Sequence, residues 1–95
     1  MNIDPTMVSL CHDPERGVFT ARSGGMTLGT LTYAWIGEAS ISIDHVVVIP
    51  QARGGRIARS LVEGVLEWAR GQHVAVIPVC RYAQVVIRRS FKESR

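Results

Sequence analysis

One segment of this 95-residue chain constrains its fold more than any other: an apolar run, then a glycine- and arginine-rich loop, then an amphipathic pattern. The run Val46–Ile49 is apolar on both faces of an extended strand, which is typical of a central strand covered on both sides. Pro50 ends this run, because proline cannot donate to a sheet ladder. Apolar residues then recur at helical spacing from Ile57 to Ala69, and Gly71 is expected to end the helix. The sequence therefore predicts a strand, a loop and a helix.

Upstream of this unit, short segments rich in threonine, aromatic and β-branched residues alternate with turn formers. They predict strands over residues 8–11, 18–22, 26–36 and 40–49. Short turns between successive strands favour an antiparallel meander. Residues 1–7 are expected to form a loose tail, and Trp35 is expected in the core together with Trp68.

Downstream of the helix, residues 73–79 predict a buried fifth strand and residues 83–89 a short final helix. Pro78 places this strand at an edge, or separates it from its neighbour at that point. Gly64 inside the first helix predicts close packing, because glycine there costs about 1 kcal/mol relative to alanine. Residues 90–95 are expected to fray. The predicted fold class is α+β: a four-strand antiparallel meander, a crossover helix and a parallel fifth strand.

The length of 95 residues allows one domain, which we predict to span residues 1–95. With 46% hydrophobic residues spread evenly, the chain is expected to fold, and it has no apolar run of the ~20 residues that a membrane span needs. Two cysteines make no disulfide framework, and no secretory signal is recognised, so a cytoplasmic location is expected. The three histidines form no metal motif, so no metal is expected.

Charge divides unevenly along the chain. Residues 1–49 carry −3 and residues 50–95 carry +6, which favours an anionic partner such as a phosphate, a nucleic acid or a cofactor. Arg53 and Arg56 flank the predicted helix start, where unpaired N–H groups attract anions. A solvated basic loop remains the alternative. Nucleic acid is not expected, because the sequence has no helix-turn-helix, zinc finger or aromatic array.

The loop resembles a known one. Residues 48–58 are similar to the acetyl-CoA loop of GNAT acetyltransferases, of the form Gln/Arg-x-x-Gly-x-Gly/Ala. The closest resemblance is to small single-domain GNAT-like proteins that lack the usual N-terminal helices, and it covers residues 11 to 90. The motifs that carry it are His12-Asp13-Pro14-Glu15, Asp44-His45, Arg53-Gly54, Ile57-Ala58, Ile77-Pro78-Val79-Cys80, Tyr82 and Ile87-Arg88-Arg89.

The resemblance implies a minimal GNAT-like fold whose fifth strand splays from the fourth, and an N-acetyltransferase that moves an acetyl group from acetyl-CoA to a small-molecule or protein amine. It implies Tyr82 as a general acid, His45 as a base and Cys80 as an acyl acceptor near the thioester. Structural roles for these three residues remain the alternatives. The implied cofactor-binding residues are Val48, Ile49, Arg53, Gly54, Gly55, Arg56, Ile57 and Ala58.

The sequence departs from the family pattern at several positions. Val46 and Val47 replace polar residues that usually follow the histidine, and Arg56 occupies a position where the loop usually has a small residue. The alternative interpretation is therefore a non-catalytic module that binds CoA or a protein on a degenerate GNAT scaffold. A monomer or a weak homodimer is expected.

Overall fold

A computed structural model describes residues 8–54 and 56–93 of the chain. It contains five strands, one 3₁₀ turn and two helices. In chain order these are β1 (Ser9–Asp13), β2 (Val18–Ser23), β3 (Met26–Trp35), β4 (Ser40–Val48), the 3₁₀ turn (Pro50–Ala52), α1 (Arg56–Gly71), β5 (Ala75–Pro78) and α2 (Arg81–Glu93). The predicted tail of residues 1–7 and the loop residue Gly55 lie outside the described residues.

The five strands form one sheet in the order β1-β2-β3-β4-β5. Strands β1 to β4 pair antiparallel in sequence, and β5 pairs parallel to β4. Helix α1 makes the crossover between β4 and β5, as a parallel pair requires. The predicted α+β class, the meander and the parallel fifth strand are therefore confirmed.

The boundaries of several elements differ from the predicted ones. Strand β5 is shorter than predicted because Gln72 and the following residue His73, which has a φ of 56°, still belong to the turn that leaves α1. Helix α2 begins at Arg81 and continues to Glu93, so the expected fraying from residue 90 is wrong for residues 90–93. Residues 94–95 are outside the described residues.

Helix α1 packs on one face of the sheet and buries its apolar stripe there. Its buried residues are Ile57, Ala58, Leu61, Val62, Val65 and Ala69. Gly29 on β3 lets the helix approach, because a Cβ there would lie 3.0 Å from Ile57 Cγ2 and 3.1 Å from the Val47 carbonyl oxygen. The prediction for Gly64 holds: a Cβ would lie 2.9 Å from Leu10 Cδ1 on β1.

The other face of the sheet is not covered by α1, and we term it the open face. By strand alternation and cross-strand pairing it carries Thr30, Thr32, His45 and Val47. Val47 is 64% exposed, so the expectation that the end of the fourth strand is covered on both sides is wrong. The expectation of a core position for Trp35 is also wrong. This residue is the last of β3 and is 48% exposed, and its ring meets that of Trp68 on α1 edge-on with centroids 6.0 Å apart.

Strand β5 forms one edge of the sheet, and Pro78 lies in it as expected for an edge strand. The N–H groups of Ala75 and Val79 point towards β4. Because main-chain groups alternate along a strand, those of Val76 and Pro78 point away from β4, to the outer edge of the sheet. Pro78 has no N–H group, and its carbonyl accepts a hydrogen bond from the Gln84 side chain at 3.1 Å. At this residue the outer edge of β5 therefore offers a further strand neither an N–H donor nor an unbonded carbonyl.

Candidate active site

The pairing between β4 and β5 covers only the first part of β4, at Ser40–Ile43. At its end, the N–H groups of Val79 and Cys80 both donate to the Ile43 carbonyl, at 3.2 and 3.0 Å. Beyond this point the two chain segments diverge, and the main-chain edge of Asp44–Val48 has no β5 residue opposite it. We term this divergence the splay.

A cleft of about 400 Å³ opens beside the splay. Its walls come from the end of β4, the loop before α1, the first turn of α1 and the first turn of α2. The described residues that line it are Val46, Val47, Val48, Arg53, Gly54, Ala58 and Tyr82. This volume lies in the range of small-molecule sites.

A β-bulge in β4 aligns the strand for this cleft. Thr32 pairs with His45, but the next residue Tyr33 pairs with Ile43, so Asp44 is the extra residue. The Asp44 carboxylate accepts a hydrogen bond from the hydroxyl of the buried Ser42 at 2.9 Å. Bulges bend a strand and redirect its side chains. As a result, Ile43 and Val46 both face α1 on either side of the bulge, and β4 turns away from β5.

The loop before α1 presents positive charge to the cleft. Arg53 lies on the wall of the cleft. Its Nε–H donates to the Val48 carbonyl at 3.4 Å, and this bond does not use the two terminal nitrogens of the guanidinium. Gly54 has a φ of +144°, a conformation that side chains rarely adopt. The first turn of α1 contains no acidic residue. This end of the cleft is therefore suited to an anion.

The other predicted cofactor residues have different positions. Val48 and Ala58 line the cleft, whereas Ile49 is partly buried and donates its N–H to the Leu28 carbonyl at 2.9 Å. Arg56 is exposed at the start of α1, and the Ile57 side chain packs into the core. Ile57 can therefore contribute only main-chain atoms to a ligand. Gly55 is outside the described residues.

The three predicted catalytic residues lie on different sides of the splay. Tyr82 lines the cleft from the first turn of α2 and is 41% exposed. Cys80 precedes α2 at the N-cap position, where its carbonyl accepts from the Gln84 N–H at 3.1 Å, and its partly buried side chain packs against the core. His45 is exposed on the open face of β4. Cys80 and Tyr82 therefore lie close to each other at the start of α2, and His45 lies on β4, on the other side of the splay.

Val46 and Val47 line the cleft although they were not among the predicted cofactor residues. The available signal was their position in the apolar run directly before the loop. The β-bulge at Asp44 had no sequence signal, because it adds no glycine or proline to the strand.

The comparisons with known proteins agree with this geometry. A family model described as GCN5-related N-acetyl-transferase matches residues 18–93. The chain belongs to this family. The match includes β2 to β5, the loop, the cleft and both helices, so all the candidate site residues lie within the GNAT domain.

Two solved structures have the same fold as this GNAT chain. A GCN5-like protein from Staphylococcus aureus, solved by NMR, superposes with a TM-score of 0.70 at 21% identity, over 94% of this chain and 86% of that one. N-acetylglutamate synthase from Neisseria gonorrhoeae, in complex with coenzyme A and N-acetyl-glutamate, gives a TM-score of 0.60 at 20% identity, over 75% of this chain and 19% of that one. No curated protein matches significantly.

Other kinds of site find no support in residues 8–54 and 56–93 of the GNAT chain. No group of three or more histidine, cysteine or acidic residues in this part is placed to hold a metal ion. None of its helices is long and apolar enough to cross a membrane.

An aromatic cluster at the opposite end of α1 was missed by the sequence reasoning. The His12 ring stacks on Phe19 with centroids 3.9 Å apart, meets Trp68 edge-on at 4.7 Å and lies 2.7 Å from the Tyr33 hydroxyl through Nε2. Burial lowers the pKa of His12, while Asp13 opposes this shift, and burial also raises the pKa of Tyr33. The one signal was His12 in the His-Asp-Pro-Glu turn motif, which gave no hint of its partners.

Proposed function

We propose that this GNAT chain binds acetyl-CoA in the cleft at the splay and transfers its acetyl group to an amine. The observation that carries the proposal is the main-chain edge of Asp44–Val47, which has no β5 residue opposite it and borders a cleft whose far end is positively charged. A free strand edge offers alternating N–H and C=O groups to an extended ligand with amide groups. The pantetheine part of CoA has two such amides, so the edge and the ligand are complementary.

The positive end of the cleft fits a pyrophosphate. The first-turn N–H groups of α1 have no helical partners, and no carboxylate in that turn competes for them. Gly54 leaves open space, because a Cβ added there would have no neighbour within 4 Å. The absence of a side chain at this position supports close approach of a phosphate to the main chain.

Arg53 is the side chain best placed to hold the phosphate group. Its Nε–H is already engaged with the Val48 carbonyl, so the guanidinium is oriented before the ligand arrives. The two terminal nitrogens can then form charge-assisted hydrogen bonds with phosphate oxygens. A lysine would supply the charge without this second anchor.

Bound acetyl-CoA supplies an activated acetyl group in the form of a thioester. The Tyr82 hydroxyl on the cleft wall would hold the proton that the departing sulfur takes up. His45 on the open face would accept the proton that the attacking amine loses. The two residues lie on the two sides of the splay, which keeps the donor and the acceptor of protons apart.

Cys80 has two candidate roles in this proposal. Its main chain closes the splay through the Ile43 carbonyl, which is a structural role. Its thiol could also take the acetyl group transiently, as the family resemblance implies. Mass spectrometry of the intact protein after incubation with acetyl-CoA separates the two roles, because only the second role adds one acetyl group, and Cys80→Ser would abolish that addition.

Cys11 is the second free cysteine, and two unpaired thiols support the proposed cytoplasmic location.

Isothermal titration with acetyl-CoA tests the cofactor half of the proposal. We expect saturable binding that Arg53→Ala weakens and Arg70→Ala does not. Arg70 is the matched control, since it is an exposed arginine in the last turn of α1, about 20 Å along the helix from its start. No heat and no thermal shift at millimolar acetyl-CoA would contradict the proposal. Binding without transfer to any amine would favour the non-catalytic module.

A further inference from the structure

Strand β1 forms an edge of the sheet in the described part of the chain, and its outer side is unprotected. Edge strands usually carry a proline, a lysine or a bulge that discourages pairing with another chain. The sequence of β1 is Ser-Leu-Cys-His-Asp, without proline or lysine, and its register with β2 runs from Ser9 to Asp13 without a shift. This strand is therefore regular along its whole outer edge.

The direction of the main-chain groups of β1 follows from the turn that leaves it. The Asp13 carbonyl accepts a hydrogen bond from the Gly17 N–H at 2.9 Å, on the side of the strand where β2 lies. Main-chain groups alternate along a strand, so those of Cys11 also point towards β2, and those of Leu10 and His12 point away from it. The outer edge of β1 therefore presents two N–H groups and two carbonyls.

A second copy of the same strand matches this edge. When two copies of Ser9–Asp13 run antiparallel with all five residues opposite each other, Leu10 of each copy lies opposite His12 of the other. Both pairs are of the hydrogen-bonded kind, so four main-chain hydrogen bonds form and the outward groups of Leu10 and His12 are all used. No other antiparallel register overlaps all five residues.

The side chains in this register are compatible on both faces of the sheet. The His12 ring meets Trp68 of α1, and Leu10 lies on the same side and is 42% exposed, so each Leu10 gains contact with His12 of the other copy. On the open face, Ser9 lies opposite Asp13 of the other copy, which places a hydroxyl donor opposite a carboxylate. No like charges face each other in this register.

The charges also favour the antiparallel direction. Asp13 lies at one end of β1, and Arg22 of β2 pairs with Ser9 at the other end. Antiparallel pairing therefore places Asp13 two strand spacings, about 10 Å, from the main chain of Arg22 in the other copy, within reach of the two side chains. The ion pair of Asp13 with Arg16 in its own chain is long, at 3.7 Å, and exposed, so it competes weakly. A parallel pair would instead place Asp13 beside Asp13.

We propose that two copies of the chain associate through antiparallel pairing of their β1 strands, with the twofold axis at Cys11. The two sheets then form one continuous sheet, and each contact occurs twice. The cleft lies at β4 and β5, on the far side of the sheet from β1, so it stays accessible in the pair. The contact between two five-residue strands is small, so the dimer dissociates on dilution.

Cys11 is a natural reporter of this register. On the axis it lies opposite Cys11 of the other copy in a non-hydrogen-bonded pair, whose Cα atoms are about 4.5 Å apart. That separation is within the disulfide range of about 4.4–6.8 Å, and Cys11 is a free, exposed thiol. Diamide, which takes up two electrons and two protons from a pair of thiols, should therefore cross-link the dimer. Mass spectrometry of the digested protein distinguishes this bond from one that involves Cys80.

Relocated cysteines test the register in a Cys11→Ser background. Ser9→Cys alone and Asp13→Cys alone should cross-link poorly, because the two identical positions lie about 14 Å apart in the paired strands, beyond disulfide range. A mixture of the two variants should cross-link as readily as the wild type, because positions 9 and 13 lie opposite each other. Cross-linking of the Ser9→Cys variant alone as fast as the mixture would contradict the proposed register.

Sedimentation equilibrium in reducing buffer tests the association without a cross-link, and we expect a monomer–dimer equilibrium. Leu10→Pro removes one outward N–H from each copy and should weaken the dimer at least about tenfold. It leaves the ladder with β2 intact, because the Leu10 N–H points away from β2. Leu10→Ala is the matched control, since it keeps the N–H and should retain most of the association. A wild-type chain that stays monomeric at high concentration, or equal association of these two variants, would overturn the proposal.

Discussion

His12 on β1 and Tyr33 on β3 are joined by a hydrogen bond of 2.7 Å between Nε2 and the tyrosine hydroxyl, although β2 lies between their strands. Both side chains lie on the α1 side of the sheet, together with Phe19 and Trp68. Apart from His12, the residues of β1 are all exposed. The His12 ring is therefore the least exposed side chain of this edge strand, and it contacts Trp68 of α1 directly.

The first prediction concerns pH. Because the pKa of His12 is lowered in the folded state, the unfolded chain binds more protons over the interval between the two pKa values. The His12 contribution to stability is present above its unfolded pKa of about 6.5 and is lost as pH falls through the lower folded pKa. Urea denaturation at a series of pH values between 4 and 8 should show that the unfolding free energy declines as the pH falls.

Two variants isolate the source of this decline. His12→Gln should flatten the pH dependence, whereas His45→Gln, at an exposed position, should leave it unchanged. Tyr33→Phe removes the hydroxyl and should cost about 1 kcal/mol at pH 7.5. A His12→Gln variant that retains the full decline would place the titrating group elsewhere.

The second prediction contrasts two glycines under α1. Gly29→Ala should destabilise by about 1–3 kcal/mol, since the new methyl group meets the Val47 main-chain oxygen at 3.1 Å and two core side chains. Gly64→Ala should be neutral or stabilising by up to about 1 kcal/mol, because the helix gains propensity and the obstructing Leu10 side chain is 42% exposed and free to rotate. Thermal denaturation of the two variants measures the contrast. Equal losses would show that Leu10 cannot move.

The third prediction concerns the phosphate contact. Arg53→Ala should weaken acetyl-CoA binding about 10- to 100-fold, the range expected for a lost charge-assisted hydrogen bond. Arg53→Lys should recover only part of this loss, because one ammonium group does not reproduce the planar guanidinium, which bonds the Val48 carbonyl through Nε–H and leaves two terminal nitrogens for the phosphate. Titration calorimetry of both variants provides the comparison. Full recovery by lysine would mean that the anchor to Val48 has no role.

The fourth prediction concerns Tyr82. Tyr82→Phe should lower kcat by about 10²- to 10⁴-fold, which is the usual contribution of a general acid, and should leave the dissociation constant of acetyl-CoA nearly unchanged. Stopped-flow or steady-state assays of thiol release measure this split. An equal rise in the dissociation constant would indicate that the hydroxyl only contacts the ligand.

The sequence was sufficient for the order of the elements and for the location of the loop. Alternation at Ile41 and Ile43, the stop at Pro50 and the helical stripe to Gly71 are local signals, and local geometry follows from them. The prediction of close packing at Gly64 also held, because a Cβ at this residue would lie 2.9 Å from Leu10 Cδ1.

The errors came from features that depend on the whole fold. The apolar character of Val47 indicated burial, but its side chain lies on the side of the sheet opposite α1 and is 64% exposed. Trp35 has a large apolar side chain of the kind found in cores, but it lies at the end of β3 and is 48% exposed. The bond between His12 and Tyr33 joins residues 21 positions apart, and no local pattern encodes such a contact.

Pro78 and Gln84 together limit how the protein can associate. An incoming strand at the β5 margin would find no N–H to accept from at Pro78 and a carbonyl that Gln84 already occupies. Pairing of a further strand with the described part of β5 is thereby disfavoured at this residue. Of the two edge strands in the described part of the chain, β1 is therefore the more open to pairing with a further strand.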